Sequence, residues 1–347
     1  MLPETIILFV LLVWGWVLSR FLYKRSHKIG LRKQITTLPR WGSQTKPVLG
    51  GVAFFFVMLT GWLIANVWLD SYDFFNPFNG VLFFAVTAGF IMGLADDLLN
   101  TSPYFKFLVQ FAISFAFIAS GFYIRFFDSE ELNYLLTIFW VVGIMNSVNM
   151  LDNMDAITTS VSVVILAAMV FVAIVTGHFA EALIPYVTLP ALLAFLNFNW
   201  HPSKMYMGDN GSQFLGALIA GTGIVFVWNT GLENGLPKSD IILAVALMFL
   251  VLLVDTTTVT VNRLLKGVSP FKGDRNHTTH NLVRAGMSEQ GVALLFIAIT
   301  SVTSVLSAMI LTEILQLNPI LRIILFVFAI LVFFLLYINT KIRSHEN

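Results

Sequence analysis

The stretch from Leu135 to Val175, "LLTIFWVVGIMNSVNMLDNMDAITTSVSVVILAAMVFVAIV", decides how the rest of the chain is read. Two apolar runs flank a short polar series in which Asn146, Asn149, Asp152 and Asp155 recur at every third place. A bilayer-spanning helix needs roughly 20 mostly apolar residues, and these runs have that character. Residues three apart step back about 60° around an ideal helix, so on a continuous helix the four would cover a broad face. Acids at membrane depth are costly and usually face a bundle interior or a watery cavity. Polar contact between helices accounts for the asparagines better than for two aspartates. The two aspartates are therefore expected to face such an interior or cavity, with helix–helix contact as the alternative.

Composition agrees with a membrane class. Of 347 residues, 57% are hydrophobic and 11% charged, against about 25% charged in an ordinary soluble domain; mean hydropathy is +0.83. Apolar runs occur at about 5–22, 48–69, 79–95, 105–122, 134–149, 158–176, 183–198, 212–228, 239–261, 290–312 and 320–340. The expected fold is all-α, a polytopic membrane protein of about 11 transmembrane helices. No linker or composition break divides residues 1–347, so one membrane-embedded domain is expected. The first run lacks a basic leader and a small-residue cleavage site and reads as a retained helix. Cysteine is absent, which excludes a disulfide framework and thiolate chemistry.

Charge sets the expected orientation. With the loop after the first run inside, all of the twenty Lys and Arg except Arg125, Lys238 and Arg322 fall on the inner side. The positive-inside rule then puts the N-terminus outside and the C-terminus in the cytoplasm. The inner loops, near 23–47, 96–104, 150–157, 199–211 and 262–289, hold nearly all the unusual polar clusters.

Asp96 and Asp97 end the third run. Two acids at a helix C-terminus oppose the macrodipole, which a nearby cation would offset; the plain alternative is a solvated helix end. Lys106 opens the next run, as a snorkelling lysine or a phosphate ligand. "GDNGS" (208–212) flanks Asp209 with glycines ahead of a helix, suiting close approach to an anion or simply an N-cap. "DRNHTTHN" (274–281) brings Arg275, His277 and His280 together in a basic loop, which also fits positive-inside topology alone. No third His or Cys completes a zinc set there. Asp255 is a candidate buried acid, and His27, His178, His201 and His345 read as incidental. Carboxylates, Lys, Arg and His gathered on one membrane face suit a hard cation and a phosphate substrate, since Mg²⁺ binds through a few carboxylates plus substrate phosphates.

The motifs resemble those of the polyprenyl-phosphate N-acetylhexosamine-1-phosphate transferase superfamily, of glycosyltransferase 4 type. They occur in order: "KPVLGG" (46–51), "DDLLN" (96–100), "KFLVQ" (106–110), "NSVNMLDNMDAI" (146–157), "NFNWHPSKMYMGDNGSQFLG" (197–216) and "RLLKGVSPFKGDRNHTTH" (263–280). The set looks closer to the bacterial undecaprenyl-phosphate N-acetylglucosaminyl-1-phosphate transferases than to the muramoyl-pentapeptide enzymes.

The resemblance implies transfer of a sugar-1-phosphate, GlcNAc-1-phosphate above all, from a UDP-N-acetylhexosamine to undecaprenyl phosphate, releasing UMP. Such a step initiates a lipid-linked envelope glycan such as O-antigen. It further implies Mg²⁺, with Mn²⁺ as a substitute, and a bacterial plasma-membrane location with a cytoplasmic active site. By this resemblance Asp96, Asp97, Asp152, Asp155 and Lys106 are catalytic, and Asp209 with Asp97 holds the metal. Asn149, Arg275, His277, His280 and Lys46 bind substrate. The bilayer is a partner, a homodimer is allowed, and nucleic acid is not expected. The family's acid, two glycines and histidine are replaced here by Asn100, Asn153, Ala156 and Thr279. The rival reading is a transporter or lipid flippase, which explains polar residues in spans but predicts a midplane site and internal symmetry.

Overall fold

A computed structural model describes residues 2–29, 46–68, 76–268 and 277–342. Among them the chain is helical, with one isolated bridge between Val48 and Tyr206. This follows from the hydropathy: in an apolar medium every backbone N–H and C=O must be paired internally, and a helix does that within one segment.

The helices are α1 (Leu2–Ile29), α2 (Gly50–Trp68), α3 (Pro77–Leu99), α4 (Pro103–Ala119), α5 (Glu130–Leu151), α6 (Ile157–Val175) and α7 (Leu183–Asn199). Next come α8 (Asp209–Gly223), which runs on through a π turn at Ile224–Asn229 to Glu233, α9 (Lys238–Met248) and α10 (Leu250–Leu265). A short α11 (Thr278–Arg284), α12 (Glu289–Leu311) and α13 (Pro319–Ile342) complete the order. Several starts are locally encoded. Asn76 accepts from the N–H of Phe78 ahead of Pro77, and Ser102, Ser129 and Ser288 each accept from the N–H three residues on.

Among the described residues, eight helices are long and apolar enough to cross a membrane. The other three expected runs correspond to two shorter apolar helices, α4 and α7, and to the pair α9 and α10. That pair corrects the expectation of one continuous span at 239–261: it bends by 77° at Phe249. Phe249 leaves helical geometry at φ −108°, ψ 17°, yet is fully buried. No Gly or Pro marks the break, so packing makes the turn.

The core centres on α8. The span Asp209–Glu233 is almost wholly buried, whereas α13 is largely exposed. α3, α5 and α2 pack around α8, and Trp140 of α5 donates its indole N–H to the Ala220 carbonyl of α8 at 3.0 Å. The N-terminus of α8 is thus held inside a ring of neighbours, and the polar motifs meet there.

Candidate active site

Three polar groups gather at one end of the bundle. The first joins α3, α4 and α8. The Lys106 ammonium, at the start of α4, lies 2.7 Å from Asp96 Oδ2 and 2.6 Å from Asp209 Oδ2. Asp97, next to Asp96, turns elsewhere, as adjacent positions about 100° apart must. Its carboxylate accepts the backbone N–H of Asp209 at 3.1 Å and of Asn210 at 2.9 Å, and the Asn210 amide at 2.5 Å. α8 therefore has no side-chain cap of its own; its cap is supplied by another helix. Two glycines permit this. A Cβ on Gly93 would run into the Asp209 carbonyl, and Gly208 turns the chain at φ +80°.

The "KPVLGG" segment braces the same place. Tyr206 donates its N–H to Pro47, and Gly50 and Gly51 donate theirs to the carbonyls of Tyr206 and Met207. Asn149 of α5 donates to the Ser212 hydroxyl at 2.8 Å, while Asn146 donates to Gln110 of α4 at 2.8 Å. The asparagines of the opening series are thus inter-helix contacts. The series is also not one helical face: α5 ends at Leu151, and Asp152 and Asp155 lie in the turn before α6.

That turn builds the second group. Asp155 accepts the N–H of Ser203 at 2.9 Å and its hydroxyl at 2.7 Å. Lys46 donates to the same hydroxyl at 3.0 Å and lies 3.6 Å from Asp155 Oδ2. His201 corrects the expectation that it is incidental. Its Nδ1 is 3.3 Å from Asp155 Oδ2 and 3.1 Å from Glu289 Oε2, though not aligned to hydrogen-bond with either. Ser203, His201 and Glu289 are residues that motif reasoning missed. A lone His or Ser carries no signal until the α7–α8 loop and the start of α12 are brought to Asp155. Asp152, Asn153, Asp155, Tyr206 and Glu289 line a small cleft.

The third group joins α10 to the start of α11. His277 is buried, with Nδ1 3.0 Å from Asp255 Oδ2, and its ring is 5.7 Å from that of buried His280. Arg275 lies outside the described residues. Thr279 donates to Asn153 Oδ1 at 2.6 Å, tying this group to the cleft.

The departures from the family pattern have structural accounts. Asn153 and Thr279, two of them, are partners in that bond. Asn100 ends α3 in the left-handed region at φ 52°, a conformation Asn tolerates. Ala156 is also left-handed, at φ 66°, which explains why glycine suits that position better.

The acids at the α8 end are donors of the type a hard divalent cation takes, although here the facing oxygens of Asp96 and Asp209 are paired with the Lys106 ammonium. Asp96 and Asp209 come from different helices, and an oxygen of each converges on one positive charge. Carboxylate oxygens are the ligands Mg²⁺ prefers.

Comparison with known proteins agrees with the motifs. Residues 79–227 match the model of glycosyl transferase family 4. The chain is 27% identical over 275 residues to a probable undecaprenyl-phosphate N-acetylglucosaminyl 1-phosphate transferase of Bacillus subtilis, covering 75% of this chain and 72% of that protein. It is 32% identical over 205 residues to the phospho-N-acetylmuramoyl-pentapeptide-transferase of Limosilactobacillus fermentum, covering 54% of this chain and 63% of the relative. The Staphylococcus carnosus protein of the same name is 30% identical over 203 residues, with 52% and 62% covered. The chain thus spans a little under two thirds of these two pentapeptide-transferases.

Proposed function

We propose that this chain, whose central segment matches glycosyl transferase family 4, is a membrane enzyme that moves a sugar-1-phosphate from a UDP-sugar to a polyprenyl phosphate. The carrying observation is the convergence of Asp96 and Asp209 on Lys106 at the bundle end that also holds Asp155 and His277. The name of the Bacillus relative supports undecaprenyl phosphate and N-acetylglucosamine as the acceptor and sugar.

In the reaction an oxygen of the lipid phosphate attacks the sugar-bearing phosphorus of the UDP-sugar. One P–O bond forms, the diphosphate P–O bond breaks, and UMP leaves with the electron pair. A phosphate monoester is largely dianionic near pH 7, its second pKa being about 6, so the attacking oxygen needs no strong base, which favours direct attack over an enzyme-bound intermediate. Positioning and charge stabilisation carry phosphoryl transfer. Asp96 and Asp209 would hold Mg²⁺, with Mn²⁺ as substitute, which supplies Lewis-acid stabilisation of charge on the phosphoryl oxygens. Lys106 adds a fixed positive charge to the same place. Asp97 acts behind them by fixing the α8 N-terminus. Lys46, Asp152 and Asp155 line the approach for sugar and nucleotide, and His277 with Arg275 meets the diphosphate.

The proposal includes eleven crossings, with the N-terminus outside and this site at the cytoplasmic face of a bacterial plasma membrane; the distribution of Lys and Arg supports it. The broken pair α9–α10 is a trait shared with transporters. A transporter reading leaves unexplained why the acids, Lys106 and the histidines collect at helix ends. The test is UMP release by purified protein supplied with undecaprenyl phosphate, Mg²⁺ and a panel of UDP-sugars. UMP formed from UDP-GlcNAc only when the lipid phosphate is present supports the assignment; absence of UMP with every sugar overturns it.

A further inference from the structure

Asp255 is 1% exposed and lies in α10, the segment redirected by the bend at Phe249. A carboxylate in such surroundings is costly unless its oxygens are paired. Both are. Oδ1 accepts the N–H of Thr278 at 3.0 Å and the Thr278 hydroxyl at 2.5 Å, and Oδ2 faces His277 Nδ1 at 3.0 Å. An ionised carboxylate only accepts hydrogen bonds, so Nδ1 must carry the proton. The His277 backbone is held as well, its carbonyl accepting the Asn281 amide at 2.8 Å. The bond to an ionised Asp255 thus calls for the Nδ1–H tautomer and leaves Nε2 as the nitrogen for a ligand.

We propose that Asp255 is a positioning residue for His277, locking Nδ1–H inward so that Nε2 meets the diphosphate of the nucleotide sugar. The phosphate contact rests on the function proposed above; the locked tautomer does not. With Nδ1–H committed, Nε2 donates to a phosphate oxygen only from the doubly protonated ring, as a charge-assisted bond, roughly twice the strength of a neutral one.

Asp255→Asn separates this role from simple packing. Thr278 presents two donors to one oxygen, so the new amide must turn its oxygen toward Thr278. Its NH₂ then faces His277 Nδ1, and the ring must accept there and carry its proton on Nε2. Shape is kept while the tautomer is reversed and the charge removed.

Two measurements on the full-length protein in detergent decide the matter. The first is ¹⁵N NMR of histidine-labelled protein with UDP absent, His277 being assigned by its loss in His277→Gln. Wild type should show protonated Nδ1, and Asp255→Asn protonated Nε2. A wild-type ring protonated only at Nε2 overturns the lock, whatever the activity and even if the variant does not fold. The second is kinetic. Asp255→Asn should raise KM for the UDP-sugar by up to about tenfold, the order expected when a neutral Nε2–H bond replaces a charge-assisted one, with a smaller change in kcat. In a His277→Gln background the same substitution should change kcat/KM by less than about twofold, as expected when two residues act as one unit. An equal further loss in that background would mean that Asp255 acts independently of His277, and overturns the proposal. A locked Nδ1–H together with no UMP release from any UDP-sugar would overturn the phosphate contact and the proposed function while leaving the lock in place.

Discussion

Asp97 and Asp209 lie 112 positions apart, yet the carboxylate of the first accepts the backbone N–H of the second at 3.1 Å. The next N–H and the side-chain amide of Asn210 bind the same carboxylate. One acid therefore orients the helix end from which the other projects. Removing it with Asp97→Ala leaves two helix N–H groups without their acceptor, at a cost of about 2 kcal/mol. The expected result is a thermal midpoint lowered by several degrees and an activity loss larger than that explains, because Asp209 moves. A variant with wild-type melting and turnover would free Asp97 from this role.

Asp209→Asn keeps the side chain's size but removes a charge from the pair that faces Lys106. By its proposed role, losing the Mg²⁺ that this pair would hold costs several kcal/mol of barrier, roughly a hundredfold or more in rate. Turnover should fall by that order and require more Mg²⁺ or Mn²⁺ for half-maximal rate, with gel filtration in detergent unchanged. Wild-type rate and metal dependence in a folded variant would remove Asp209 from the metal site.

Ala156 carries a left-handed backbone, φ 66°, at a fully buried position. An L-residue there bears about 1–2 kcal/mol of strain that glycine lacks. Glycine in turn adds unfolded-state entropy worth about 0.4–1 kcal/mol. Ala156→Gly is expected to raise the thermal midpoint slightly, and Ala156→Val to lower it by several degrees. A midpoint lowered by glycine would contradict the strain argument.

The bond from Thr279 to Asn153 joins the basic loop to the cleft. In a cycle of Asn153→Ala, Thr279→Val and the double variant, a coupling of about 1 kcal/mol in stability is expected. Additive effects would show that the contact contributes nothing.

Orientation can be read with single cysteines, since the chain has none of its own. Asp128 and Lys204 are both exposed, and the charge distribution assigns them to opposite sides. In intact cells an impermeant thiol reagent should label Asp128→Cys and spare Lys204→Cys. The reverse pattern would invert the topology.

The helical class and the approximate positions of the spans were legible in sequence, because hydropathy acts locally and the backbone in an apolar medium has few options. The capped starts at Asn76, Ser102, Ser129 and Ser288 rest on equally local chemistry, one side chain pairing with an N–H two or three residues on. The polar motifs were visible as acids out of place in apolar runs. What each acid touches was not visible. Asp96 reaching Lys106, Asp97 capping α8, Asp155 meeting Ser203 and His201, and Asp255 facing His277 all depend on packing between distant helices. The bend at Phe249 has no local breaker either and arises where buried side chains fill the space around α8. Local periodicity and turn chemistry determine which segments become helices; side-chain volume and the need to pair every buried polar group determine how their ends meet.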